Sequence, residues 1–370
     1  MAKIYCAVPF KVGFTNSNFG FRNCCSAHPQ INSLPTSNFE TWWKSPELEK
    51  FRQEFGKESF PAACQGCKLS EKVSGSSFRT VVNKEYGELS SNLQWPQTWN
   101  IMFGNKCNLG CWICDESSSS LIENQKKKAG LLPNDYVSTQ HLYKDRWKTL
   151  KNEILKSYEF HPYVRLTIRG GEPLYNKDVI GFLNELIDKG LSNRTKLEFH
   201  TNATILSPAI KTIINSKNWN YTIVLLSLDA VGKKAEWLRY GCNWQQIIKN
   251  VEVFKEIVDY VQVNCTLSIL NIMDLPALKH FCQQQNIKLS TYTLQDPEFL
   301  SLEHWPHSPD DLVDKQLLTE TGFGEYYNLI GISPDPEAPN KLKKYIKSFK
   351  NLRIPLSKFD PELAKMFGVD

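Results

Sequence analysis

The stretch FGNKCNLGCWICDESSSSL, residues 103–121, sets Cys107, Cys111 and Cys114 in a C-x3-C-x2-C array directly after the short apolar run TWNIMFG. Three cysteines are one short of the four ligands that close a tetrahedral zinc site, so a fourth ligand comes from elsewhere in the chain or from outside the protein. Working outward from this array, the chain changes character near residue 98. Apolar runs TWNIMFG, YVRLTIRG, KLEFHTN, YTIVLLSLD, VQVNCTLSIL and IKLSTYTL read as buried strands. Between them KDVIGFLNELIDKG, SPAIKTIINSK, NWQQIIKNVEVFKEIVDY and DLPALKHFCQQQ carry helical periodicity. Six strands alternating with helices predict a parallel α/β system, an open sheet or a partial barrel, whose chemistry sits at the C-terminal strand ends. The cysteine array follows the first of these strands.

Upstream, residues 1–80 are turn-rich and hold Cys6, Cys24, Cys25, Cys64 and Cys67, with one helix expected over NFETWWKSPELEKFRQEF, capped by Asn38. Downstream of residue 300 the pattern loosens into proline-containing loops. There NKLKKYIKSFKNL places Leu342, Tyr345, Ile346 and Phe349 on one helical face, with its lysines on a solvated one. The 370 residues carry 44 basic and 39 acidic side chains; a net charge of +5 does not argue for nucleic acid. No run approaches the roughly 18 apolar residues of a membrane span, and MAKIYCAVPFKVGF lacks the parts of a signal peptide. The chain therefore reads as soluble and cytoplasmic. In that compartment its eleven cysteines, eight of them within the first 114 residues, point to metal or redox chemistry rather than disulfides.

C-x3-C-x2-C followed about 55 residues later by RGGEP, residues 169–173, resembles the radical S-adenosylmethionine (SAM) superfamily. The resemblance implies an α/β fold with a partial (β/α)6 barrel. It further implies a [4Fe–4S] cluster on Cys107, Cys111 and Cys114 as the catalytic and metal-ligating residues, with the fourth iron chelated by SAM. Trp112 matches a position where an aromatic ring packs near the adenine; the alternative is a loop aromatic covering the cluster. Gly170 and Gly171 allow close backbone approach, and Glu172 offers an acceptor for the SAM ammonium. Later strand ends supply Thr201 and Asn202, then Ser227 and Asp229, then Arg239 in EWLRYG as SAM contacts. An arginine suits a carboxylate because its fork is bidentate. Asp229 and Asn271 are alternatively substrate-facing or turn-forming.

Cys6, Gly20, Cys25, Cys64 and Cys67 resemble the first half of the SPASM or twitch auxiliary-cluster pattern, here N-terminal to the core rather than after it. That implies a second [4Fe–4S] cluster on Cys6, Cys25, Cys64 and Cys67, with Cys24 as the substitute for Cys25 and a four-cysteine zinc knuckle as the rival occupant. The organisation expected is an auxiliary module over 1–90, the radical SAM barrel over 91–300 and a helical extension over 301–370. Cys265 and Cys282 read as buried hydrophobes, and Cys242 as either packing or a radical quencher.

The resemblance implies reductive cleavage of SAM to a 5′-deoxyadenosyl radical and hydrogen abstraction from substrate. An auxiliary cluster favours net oxidation, and an electron donor such as flavodoxin or ferredoxin is implied as partner. The leading substrate class is a peptide or protein. The second is a sugar or related alcohol, with Asp229, His200 or Asn271 reaching its hydroxyls; the third reading is a zinc-stabilised binding protein without redox chemistry. Because Cys6 is already a proposed ligand, no separate leader-binding domain is expected ahead of the N-terminal module. The segments Trp95–Trp99 and Asp296–His307 either line a groove or pack between modules.

Overall fold

The computed structural model describes residues 3–16, 20–27, 31–32, 38–86, 95–138 and 143–369. Its strands are β1 (Val12–Thr15), β2 (Phe21–Arg22), β3 (Thr98–Met102), β4 (Gly110–Cys111), β5 (Val164–Arg169), β6 (Thr195–Thr201), β7 (Tyr221–Ser227), β8 (Arg239–Tyr240), β9 (Tyr260–Leu267) and β10 (Lys288–Thr293). Eight of them form one sheet in the order β10-β9-β7-β6-β5-β3-β1-β2, and β4 pairs with β8 in a separate ribbon. All neighbours in the large sheet run parallel except β1 and β2. The fold is α/β with the mostly parallel sheet of a partial barrel. The six strands predicted from the apolar runs are β3, β5, β6, β7, β9 and β10.

Alternation along each strand assigns the two faces of the sheet. Ile101, Leu166, Ile168, Leu197 and Phe199 are buried in the main core with Leu150, Ile154 and Phe182 from the covering helices. The opposite face carries Asn100, Arg165, Thr167, Arg169, Glu198 and His200, in register across β3, β5 and β6. A parallel sheet covered by helices on one side only leaves its second face to line a barrel interior, and here that lining is polar.

The N-terminal residues do not form a separate layer. β1 runs parallel to β3, pairing Val12 with Thr98, Gly13 with Trp99 and Phe14 with Asn100. Gly13 is needed there, since a Cβ would stand 2.7 Å from the Trp99 ring. Sequence reading missed β1 because it is four residues long and interrupted by this glycine. The expected domain boundary at residue 90 lies outside the described residues.

The single helix expected over 38–55 is two, Phe39–Trp43 and Pro46–Arg52. Asn38 caps the first through Thr41 N at 3.0 Å. Pro46 cannot continue that helix and instead takes the first position of the next, capped by Ser45. Trp95 and Trp99 are buried, their indoles donating to Glu153 O and Ser157 Oγ of helix Tyr143–Phe160. Trp305 is buried as well. These aromatics pack the body of the molecule instead of lining a groove. No described helix is long and apolar enough to cross a membrane.

Candidate functional site at the strand ends

The cysteine loop is clamped from four directions. β4 lays Cys111 opposite Arg239 of β8, and Trp112 N donates to Leu238 O at 3.0 Å. Ser120 Oγ accepts from Cys107 N and donates to Cys107 O, both at 3.1 Å. Ser119 Oγ donates to Leu109 O at 2.6 Å while capping the helix Ser120–Lys128. Asn105 Nδ2 donates to Glu116 O and to Glu123 Oε2. The serine run thus holds the loop's shape, a role its unremarkable composition concealed in the sequence.

Burial pushes the Cys107 thiol up to about 12. Cys111 is held down to about 7, first by the hydrogen bond from Cys114 and then by the Arg239 guanidinium, against its burial. Arg239 Nη1 lies 3.9 Å from Cys111 Sγ. Lowered thiol pKa beside a cation favours the thiolate that metal ligation requires.

The RGGEP turn packs directly on this loop. Glu172 N donates to Lys106 O at 2.7 Å, and a Cβ on Gly171 (φ +52°) would lie 2.1 Å from the same oxygen. Gly170 (φ +91°) would set a Cβ 2.8 Å from Phe103 N. The two glycines are therefore required by the approach of the cysteine loop itself. Glu172 is fully buried, and burial raises its carboxyl to about 7. It accepts from Leu174 N at 3.1 Å, Thr201 Oγ1 at 2.8 Å and Asn202 N at 2.7 Å. A carboxylate offers about four acceptor positions, so about one is left over on Oε2.

Thr201 and Asn202 are brought to the same place. Asn202 Nδ2 donates to Asn108 Oδ1 at 3.0 Å and stands 4.0 Å from Cys107 Sγ. Ser227 ends β7, half-buried. Asp229 Oδ2 pairs with Arg239 Nη2 at 2.7 Å, and its Oδ1 accepts from Thr266 N at 2.9 Å. Both oxygens of Asp229 are thereby engaged, one of them by Arg239, whose Nε is buried without a partner among the described residues. Asn271 uses its amide on Asp229 O, Thr266 O and Ser268, the turn-holding alternative.

Trp112 sits beneath Arg353, whose guanidinium carbon is 4.1 Å from the ring centroid, and against Trp237, Tyr345 and Phe349. Tyr345 and Phe349 lie on the apolar face foreseen for the C-terminal helix Ala338–Ser348 and its exit. Trp112 is thus enclosed by side chains of the C-terminal segment and of the helix Gly232–Leu238. Cys265 and Cys282 are buried, and half-buried Cys242 donates to Ala235 O at 3.6 Å.

The N-terminal thiols converge on a second place. One cavity is lined by Cys6, Cys24, Cys64 and Cys67, walled by Val8, Phe51, Phe55 and Phe78. Gly20 spacing favoured Cys25, yet the side chain facing this cavity is Cys24. Cys25 is lowered to about 6, first by the Cys24 hydrogen bond and further by Arg169 and Arg22. Burial raises Cys6 to about 12 and Cys64 to about 11. Among the described residues no three His, Cys, Asp or Glu side chains are gathered closely enough for a single metal ion.

Residues 101–282 match the family model described as the Radical SAM superfamily. That span opens in β3 and closes in the helix Leu275–Gln284, so it takes in the cysteine loop, the Gly-Gly-Glu turn and Arg239. Comparison with curated proteins finds no match. Among solved structures the chain is similar to anSMEcpe with bound AdoMet, at 17% identity over 61% of this chain and 60% of that one, TM-score 0.43. It is also similar to Streptococcus suis SuiB bound to precursor peptide SuiA, at 17% identity over 70% and 53%, TM-score 0.37. A third is the Kitasatospora setae methyltransferase TsrM, at 10% identity over 52% and 34%, TM-score 0.35. The chain thus spans about 60% of the length of anSMEcpe. At such distances these likenesses speak neither to substrate nor to partners.

Proposed function

We propose that this protein is a radical SAM enzyme that oxidatively modifies a peptide or protein. In this reading Cys107, Cys111 and Cys114 hold a [4Fe–4S] cluster, and SAM lies against Gly170, Gly171, Glu172, Thr201, Asn202, Ser227, Asp229 and Arg239. When bound, cluster and SAM supply hydrogen-atom abstraction from an unactivated carbon. The observation that carries the reading is the convergence of three thiols, the carboxylate of Glu172 and the guanidinium of Arg239 at one set of strand ends. The residues fit the groups: Glu172 retains about one acceptor position for an ammonium, and the buried Nε of Arg239 is a donor without an acceptor among the described residues.

The chain's own contribution is placement and exclusion. Asp229 fixes the Arg239 fork, Thr201 and Asn202 fix Glu172, and the serine bonds fix the loop. The cavity of Cys6, Cys24, Cys64 and Cys67 is proposed to hold a second [4Fe–4S] cluster, and a flavodoxin- or ferredoxin-type protein is proposed as the enzyme's electron donor. The peptide assignment rests on the resemblance of Cys6, Gly20, Cys25, Cys64 and Cys67 to the auxiliary-cluster pattern. The polar second face of the sheet favours the other reading, a small-molecule alcohol dehydrogenase.

Anaerobic reconstitution with iron and sulfide tests the assignment. About eight irons per chain are expected, four per cluster, and the dithionite-reduced protein should turn SAM into 5′-deoxyadenosine and methionine. Zinc in the N-terminal site would sink the two-cluster proposal, and absence of both iron and SAM binding would sink the enzyme.

A further inference from the structure

On the polar face of the sheet, beside the Gly-Gly-Glu turn, two arginines carry buried donors with no hydrogen-bond partner among the described residues. Arg169 closes β5, and its Cα partner on β3 is Met102. Arg22, on β2 at the far edge of the sheet, reaches back so that its Nη2 lies 3.9 Å from Met102 Sδ. Both arginines lie on the polar face near enough for the charge of Arg22 to act on Arg169. Arg169 Nε and Nη2 and Arg22 Nε are all buried with no hydrogen-bond partner among the described residues.

The carboxylate on this face is already committed. Glu198 accepts from Arg165 and, at 3.2 Å, from Thr167. His200, which follows in β6, is held down to about 4 by burial and is neutral at physiological pH. Cys25 borders the two arginines, but one thiol cannot satisfy two forks of five donors each. Buried guanidinium donors left unmet are costly to the fold. A fold that places two of them side by side leaves a position shaped for two or more acceptor oxygens.

We infer that an oxyanion of the substrate, a carboxylate or a phosphate, binds between Arg169 and Arg22 on the polar face of the sheet. The inference rests on the enzyme reading above and adds to it the chemical class of group the substrate must carry. It also gives the N-terminal segment a share in the substrate site, because Arg22 comes from β2. A peptide meets the requirement with an acidic side chain or its C-terminus, and a small alcohol with a phosphate or acid group.

The test uses reconstituted holoprotein. Its thermal stability is followed while phosphate, acetate or chloride is added at matched ionic strength. A saturable rise with phosphate or acetate, absent with chloride, is expected, and the more effective of the two identifies the oxyanion. Arg169→Gln should abolish the rise and Arg22→Lys, which keeps the charge without the fork, should weaken the response about tenfold or more. Crystals soaked in selenate should show anomalous density within hydrogen-bond distance of both guanidinium groups, a readout that needs no variant to fold. An equal response to chloride, a response retained in Arg169→Gln, or selenate only elsewhere would overturn the inference. SAM titration of the same wild-type holoprotein separates the two levels. Loss of SAM binding with the oxyanion response intact defeats the enzyme reading alone, and the reverse defeats this inference alone.

Discussion

The two cysteine sets are built on opposite plans. The loop of Cys107, Cys111 and Cys114 is shaped by hydrogen bonds within about twenty residues of itself, from Ser119, Ser120 and Asn105, and then locked by β8. The N-terminal set draws its thiols from three separate segments and holds them with aromatic packing around a cavity. Local bonds make the ligand order of the first set a property of its spacing. In the second, it is Cys24 and not its neighbour Cys25 that lines the cavity.

That contrast can be broken most sharply at the loop. Replacing Cys107, Cys111 and Cys114 together with alanine should remove about half the iron and all SAM cleavage, as read by iron analysis and chromatography of 5′-deoxyadenosine. Gly171→Ala attacks the same loop without touching a ligand. Its Cβ has no room beside Lys106 O, so a loss of more than about 3 kcal/mol in stability is expected in denaturant titration.

At the N-terminal set the comparison is sharpened by a pair of variants. Cys24→Ala should lose the second half of the iron, whereas Cys25→Ala should keep it; iron retained in Cys24→Ala and lost in Cys25→Ala would restore the spacing-based choice. A smaller effect is expected from Glu172→Gln and Arg239→Ala, which should weaken SAM binding about ten- to a hundredfold by calorimetry with less change in iron.

The smallest effect concerns His200. Its folded pKa of about 4 lies below the ordinary histidine value, so the unfolded chain takes up its proton first as the pH falls. Stability contributed by the neutral ring is present above about 6.5 and is lost toward 4. His200→Gln should flatten the decline in melting temperature over that window, and an unchanged slope would place the ring in water.

Much of this was legible beforehand because it obeys short-range rules. Six apolar runs became six parallel strands, and the cysteine loop, Glu172, Thr201, Asn202, Asp229 and Arg239 were found at the strand ends where such folds gather their chemistry. What stayed hidden depends on partners distant in sequence. β1 is recognisable only once β3 is beside it, and the engagement of Asp229 by Arg239 needs the chain to cross from β7 to β8. Trp112 matched a ligand-packing position, yet its neighbours Arg353, Tyr345 and Phe349 arrive from more than two hundred residues away.

The pairing of β1 with β3 also bears on how the chain can be cut. Without residues 12–22, β3 would become a sheet edge with open backbone donors and acceptors and the Trp99 ring uncovered on one side. Unprotected parallel edges recruit other chains. The first strand of the barrel is therefore shielded from self-association by a segment that lies more than seventy residues upstream of it, so a shortened protein beginning near residue 95 should precipitate rather than fold.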